Sequence, residues 1–130
     1  MKPKPVLLSI AILVLFLVGT LHAETNVVGR YLAGGGSYVR MLVTIQAPPP
    51  AAFIVLQQIP PGVKMTAATP APSGFQQDGA AVKWLFKRPQ PGTMIVSMQL
   101  SRQVPESQLK GEISYRHPRS GELISRKISN

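Results

Sequence analysis

The chain contains no cysteine. Disulfides, zinc–cysteine sites and thiol nucleophiles are thereby excluded together, and packing alone has to hold the fold. Acidic residues are scarce as well: five Asp and Glu stand against 14 Lys and Arg, for a formal net charge of +9. Aromatics make up only 6% of the residues and include a single tryptophan, Trp84. Long apolar runs are missing apart from Val6 to Val18, 13 residues interrupted only by Ser9. That is short of the ~20 residues a bilayer span needs. After residue 23 no window carries the i, i+3, i+4, i+7 spacing of an amphipathic helix.

What the sequence does have is 13 prolines, 11 glycines and 45% hydrophobic residues in a length of 130. The apolar content is too high for a disordered chain. The proline and glycine suit many turns and short strands, and the length suits one domain.

Residues 1–23 have the layout of a secretory leader. Lys2 and Lys4 make a positive start, Val6 to Val18 an apolar helix, and Gly19, Thr20 and Ala23 a small-residue end. Cleavage is expected after Ala23, with an uncleaved N-terminal anchor as the alternative. Removal of those 23 residues would leave 107 and, with both lysines gone, lower the formal charge from +9 to +7. The chain is therefore expected to be exported, to a periplasm, a cell surface or the medium, and to meet the membrane only through its leader.

The rest is organised around Ala52 to Met65. The apolar run Phe53 to Leu56 enters the polar pair Gln57-Gln58, and Ile59-Pro60-Pro61-Gly62 then turns the chain. Two prolines withhold two N–H donors, so no ladder runs through them. Pro61-Gly62 fits the centre of a type II turn, whose second residue needs φ > 0. Val63, Met65 and Ala67 begin a new alternation. Residues 24–36 read as an N-terminal strand or arm ending in the Gly34-Gly35-Gly36 break, and residues 37–130 as the folded domain. Within it, Val39, Met41, Val43 and Ile45 alternate with polar or outward residues, as do Met94, Val96, Met98 and Leu100. Val82, Trp84 and Phe86 share one face, and Leu109, Gly111, Ile113 and Tyr115 another. Thr69 to Gly79 reads as a loop, Pro118 to Gly121 as a hairpin turn, and Glu122 to Ile128 as the last strand. Seven or eight short strands with frequent turns indicate an all-β antiparallel sandwich, its core built on Trp84, Val82, Phe86, Met94, Val96 and Met98.

The order of these signals resembles a family of small immunoglobulin-like repeat domains of bacterial and archaeal exported proteins. The shared pattern is an alternating strand (Val39 to Ile45), the Ile59-Pro60-Pro61-Gly62-Val63 corner, and a Gly-containing loop (Gly74 to Gly79). It continues with Val82-Lys83-Trp84, Pro91-Gly92 and the alternating strand Met94 to Leu100. The resemblance spans residues 27–128. It implies an immunoglobulin-like sandwich and an extracytoplasmic role in architecture or binding, and it implies no catalytic site.

Few residues are available for chemistry. Beyond the leader His117 is the one imidazole, set in the turn Arg116-His117-Pro118-Arg119, where a solvated turn residue is expected rather than the base of a triad. The acids Glu24, Asp78, Glu106, Glu112 and Glu122 are scattered, so no metal or cofactor site is assigned. Glu112 and Glu122 could face each other across a hairpin as the paired carboxyls of a glycosidase do, but pairing with Lys110 or Arg126 is the plainer use. Met41, Met65, Met94 and Met98 fall on inward strand phases, as core filling does.

The basic excess is the most useful surface signal. Lys83, Lys87 and Arg88 flank one turn; Arg116, Arg119, Arg126 and Lys127 gather around the last hairpin. Lys87, Arg88, Arg116, Arg119, Arg126 and Lys127 are the candidate contacts for an anionic glycan or lipid, set against charge that keeps the chain soluble and guards strand edges. Nucleic acid fits less well, because the aromatics are buried by pattern. The expectation is a non-catalytic exported module that binds an envelope or extracellular protein. The alternatives are a surface-assembly subunit that donates its N-terminal strand, and a polyanion binder.

Overall fold

The computed structural model describes residues 26–32, 36–76 and 79–130. The leader, Glu24, Thr25, most of the glycine run and Asp78 lie outside those residues. Nine strands are present among them: β1 (Val27–Tyr31), β2 (Gly36–Ile45), β3 (Ala52–Gln58), β4 (Met65–Thr69), β5 (Gly74–Gln76), β6 (Ala81–Lys87), β7 (Gly92–Val104), β8 (Gly111–Arg116) and β9 (Leu123–Lys127). They form two antiparallel sheets, in the orders β1-β2-β7-β4 and β5-β6-β3-β8-β9. A 3₁₀ turn, Glu106–Gln108, joins β7 to β8. Among the described residues no helix is long and apolar enough to cross a membrane.

The alternating runs become strands because each buries one phase between the sheets. Val39, Met41, Val43 and Ile45 of β2 and Val96, Met98 and Leu100 of β7 line the core from the four-stranded sheet. Phe53 and Val55 of β3, Val82 and Trp84 of β6, and Ile113 and Tyr115 of β8 line it from the five-stranded sheet. Trp84 is 1% exposed, and its indole N–H donates to the Pro70 carbonyl at 2.8 Å. Burial of that ring stabilises by about 2–3 kcal/mol because its one polar atom keeps a partner. Phe86 and Met94 pack against the core half-buried, and the Phe86 ring stacks on Phe53 with centroids 4.8 Å apart.

The proline corner carries the chain from one sheet to the other. Val63 N–H donates to the Pro60 carbonyl at 3.1 Å, and Gly62 has φ +78°, the geometry of a type II turn. Buried Ile59 and Val63 anchor the two sides of the corner. The alternation expected after it is broken by a bulge between Met65 and Ala67. The bulge turns Ala68 rather than Ala67 toward the core. The loop expected over Thr69 to Gly79 contains the short strand β5 on the edge of β6. Three residues with one large apolar side chain, Phe75, are too few to show a period.

β1 runs antiparallel to β2, with Val27 and Tyr31 buried and Val28 and Arg30 exposed. Its other side takes the C-terminal segment: Tyr31 N–H donates to the Ser129 carbonyl at 2.8 Å, and Ser129 N–H to the Gly29 carbonyl at 3.1 Å. A buried polar bridge then joins the two sheets. The Tyr31 hydroxyl donates to Gln57 Oε1 at 2.7 Å, and Gln57 Nε2 donates to the carbonyls of Gln58 and Lys110.

Candidate binding surface on the five-stranded sheet

Whatever β3, β6, β8 and β9 turn away from the core makes the outer face of the five-stranded sheet. The register lays these residues out in rows across the strands. One row runs Lys87, Ala52, then Arg116 and Leu123; the next Leu85, Ile54, Ser114, Ser125; the next Lys83, Leu56, Glu112, Lys127. Ala52, Ile54, Leu85 and Leu123 floor an open groove of about 440 Å³, completed by Ser114, Arg116, His117 and Pro118. Leu85 is 38% exposed and Leu123 61%. A second groove of about 410 Å³ continues on the same face past Leu56, Gln58, Glu112 and Lys127. An apolar floor with positive charge at its margin is a surface that excludes water well and repels cations.

The six basic candidates do not form one patch. Lys87, Arg88, Arg116 and Arg119 come together at the end of the sheet that holds the first groove, because β6 and β8 finish there on either side of Ala52. Two inter-strand spacings put the backbones of Lys87 and Arg116 about 10 Å apart. The Arg116 guanidinium donates to the Gly121 carbonyl at 3.1 Å, which ties it to the β8–β9 turn. Arg88 follows with φ +50° and closes the β6 end through its N–H to the Ala51 carbonyl. Arg126 and Lys127 lie further along β9. Lys127 stands opposite Glu112 on the outer face, and Arg126 opposite Ile113, on the other phase of the strand.

His117 sits in the turn, half-buried. Its Nδ1 accepts the backbone N–H of Arg119 at 3.1 Å and of Ser120 at 3.3 Å, so the ring organises the turn beside the groove. Glu112 faces Lys127 rather than Arg126 across the ladder, and Glu122 accepts the His117 N–H through its carbonyl. The two acids are thus five residues apart along the hairpin, about 17 Å at ~3.4 Å per residue. That backbone spacing far exceeds the separation of paired glycosidase carboxyls, about 5–9.5 Å. Among the described residues no three His, Asp or Glu side chains cluster as metal ligands would. Burial pushes the Tyr31 phenol up to about 12, against the opposite pull of its bond to Gln57.

The apolar floor was the part of the surface that the basic residues alone did not reveal. Its trace in the sequence is Ala52 to Leu56, apolar on both strand phases, where a one-sided strand would alternate. The chain matches no protein-family model, no curated protein and no solved structure.

Proposed function

We propose that this chain is an exported, non-catalytic interaction module of the cell envelope or extracellular space. The outer face of its five-stranded sheet receives a partner protein. The observation that carries the reading is the groove over Ala52, Ile54, Leu85 and Leu123, with Lys87 and Arg116 at its margin. Apolar residues that adjoin in a groove rimmed by polar ones mark a contact surface, where singly scattered ones do not. The leader-like residues 1–23 supply the export half of the reading.

An immunoglobulin-like kinship is part of the proposal. Immunoglobulin domains place strands A, B, E and D on one sheet and C, F and G on the other. The order β1-β2-β7-β4 runs like the first set, and β3-β8-β9 like the second. The added pair β6 and β5 occupies the place of the extra strands of variable-type domains, although here it follows β4 in the chain. The Pro60-Pro61-Gly62 corner and the Val82-Lys83-Trp84 strand add the sequence resemblance.

A photoactivatable residue at Leu85, compared with one at Ile95 on the opposite sheet, tests the reading in producing cells. Cross-links to an envelope protein from position 85 and not from 95 are expected. Cross-links from 95 alone, or from neither, would refute it. The cluster of Lys87, Arg88, Arg116 and Arg119 favours a second reading, binding of an anionic glycan or lipid. Its mark is a retention that falls steeply with salt.

A further inference from the structure

We propose that β9 is a docking edge, on which an extended acidic segment of a partner protein pairs and adds a strand to the five-stranded sheet. The inference rests on the reading above and names the partner's chemistry. The register of the last hairpin shows which backbone groups of β9 are uncommitted among the described residues. His117 N–H donates to the Glu122 carbonyl and Ile128 N–H to the Gly111 carbonyl. Hydrogen-bonded pairs alternate along an antiparallel ladder. Residues 122, 124, 126 and 128 therefore face β8, while Leu123, Ser125 and Lys127 turn their N–H and carbonyl groups away from it. All three are exposed.

The same side of this segment already accepts a strand two residues further on, where Ser129 exchanges two backbone bonds with Gly29 and Tyr31 of β1. The other described edges suit a guest less well. β5 is three residues long, β4 is bulged, and β1 is taken by Ser129. Charge selects the occupant. Arg126 and Lys127 project to opposite faces of β9, so a second copy of this strand would meet cations on both sides. A strand with acids opposite them gains on both sides, as cross-strand pairs of opposite charge do. Leu123, at the lip of the groove, offers an apolar contact to the same guest.

Amide hydrogen exchange of the ¹⁵N-labelled protein, with a capped peptide of alternating valine and glutamate, tests this. At ten times the dissociation constant, exchange at Leu123, Ser125 and Lys127 should slow by about tenfold, the occupancy factor for a bound edge. The valine–lysine counterpart should leave it unchanged. Ser125→Pro removes one outward N–H and no backbone bond to β8, losing there only the exposed Ser125–Ser114 hydroxyl contact at 3.0 Å. It should therefore abolish the protection, while Ser125→Ala, which loses the same hydroxyl contact and keeps the N–H, retains it. Arg126→Glu with Lys127→Glu should transfer the protection to the lysine peptide. Methyl shifts at Ile54 and Leu85 without amide protection would overturn the added strand and leave the binding face standing. Three amides already protected in the protein alone would overturn it too, as would a glutamate peptide that changes neither amides nor methyls.

Discussion

At the scale of single residues, the two sheets are held in register by a few side chains whose polar atoms found partners. Trp84 is the largest. Trp84→Ala removes the ring and its bond to Pro70, and should cost about 3–5 kcal/mol, read as a shift of the denaturation midpoint. Tyr31→Phe leaves Gln57 Oε1 buried without its donor and should cost about 1–3 kcal/mol. The phenol also sets an alkaline limit. Its pKa is raised from 10.0 to about 12 by burial, so the folded state holds a proton that the unfolded state releases first. That contribution is whole below pH 10 and is lost as pH rises through about 12. Stability measured against pH should fall over that window in the parent and fall less in Tyr31→Phe. Gly111 is fixed by the same bridge: a Cβ there would sit 2.7 Å from Gln57 Oε1, Tyr31 OH and Ile128 Cδ1. Trp84 was legible as a core residue from its strand phase, but the Tyr31–Gln57 bridge and the tight space at Gly111 were not. Gln57 and Gln58 look alike in a polar pair, and only the pairing of β1, β3 and β8 makes one 0% exposed.

At the scale of elements, local chemistry was readable and long-range pairing was not. The alternation of β2, β6 and β7 gave the inward faces, because a period of two has only two phases to choose between. The Pro60-Pro61-Gly62 corner was readable because proline and glycine each restrict the backbone in a known way. Gly62→Ala tests it directly: at φ +78° an added Cβ is strained, and a loss of about 1–2 kcal/mol is expected with β4 and β7 still paired. The bulge in β4 and the short strand β5 were not readable, since each is defined by the neighbour it pairs with. The last hairpin was found, but its register was not: Glu112 met Lys127 because the Pro118 to Gly121 turn sets the alignment. The basic residues were legible as a list. Their division into a cluster at the end of β6 and β8 and two cations on either side of β9 depends on strand order.

At the scale of the whole molecule, the sandwich spends its inward phases on one core and leaves two outer faces. Apolar residues appear on both, with Val28, Tyr38 and Ile95 exposed on the four-stranded sheet and Leu85 and Leu123 on the five-stranded one. What separates the faces is the continuous floor of Ala52, Ile54, Leu85 and Leu123 beside Lys87 and Arg116, with β9 as the edge strand alongside among the described residues. The sequence offered the charge and the two-sided apolar run of β3, and the fold made them one surface. The most direct measurement is how much protein an envelope fraction retains for Leu85→Asp with Leu123→Asp, beside Ile95→Asp as the control from the other face. Both variants alter exposed positions, so melting curves should stay near the parent's. The double variant should lose retention while the Ile95 variant keeps it; retention by the folded double variant equal to the parent's would rule out a partner on the five-stranded face.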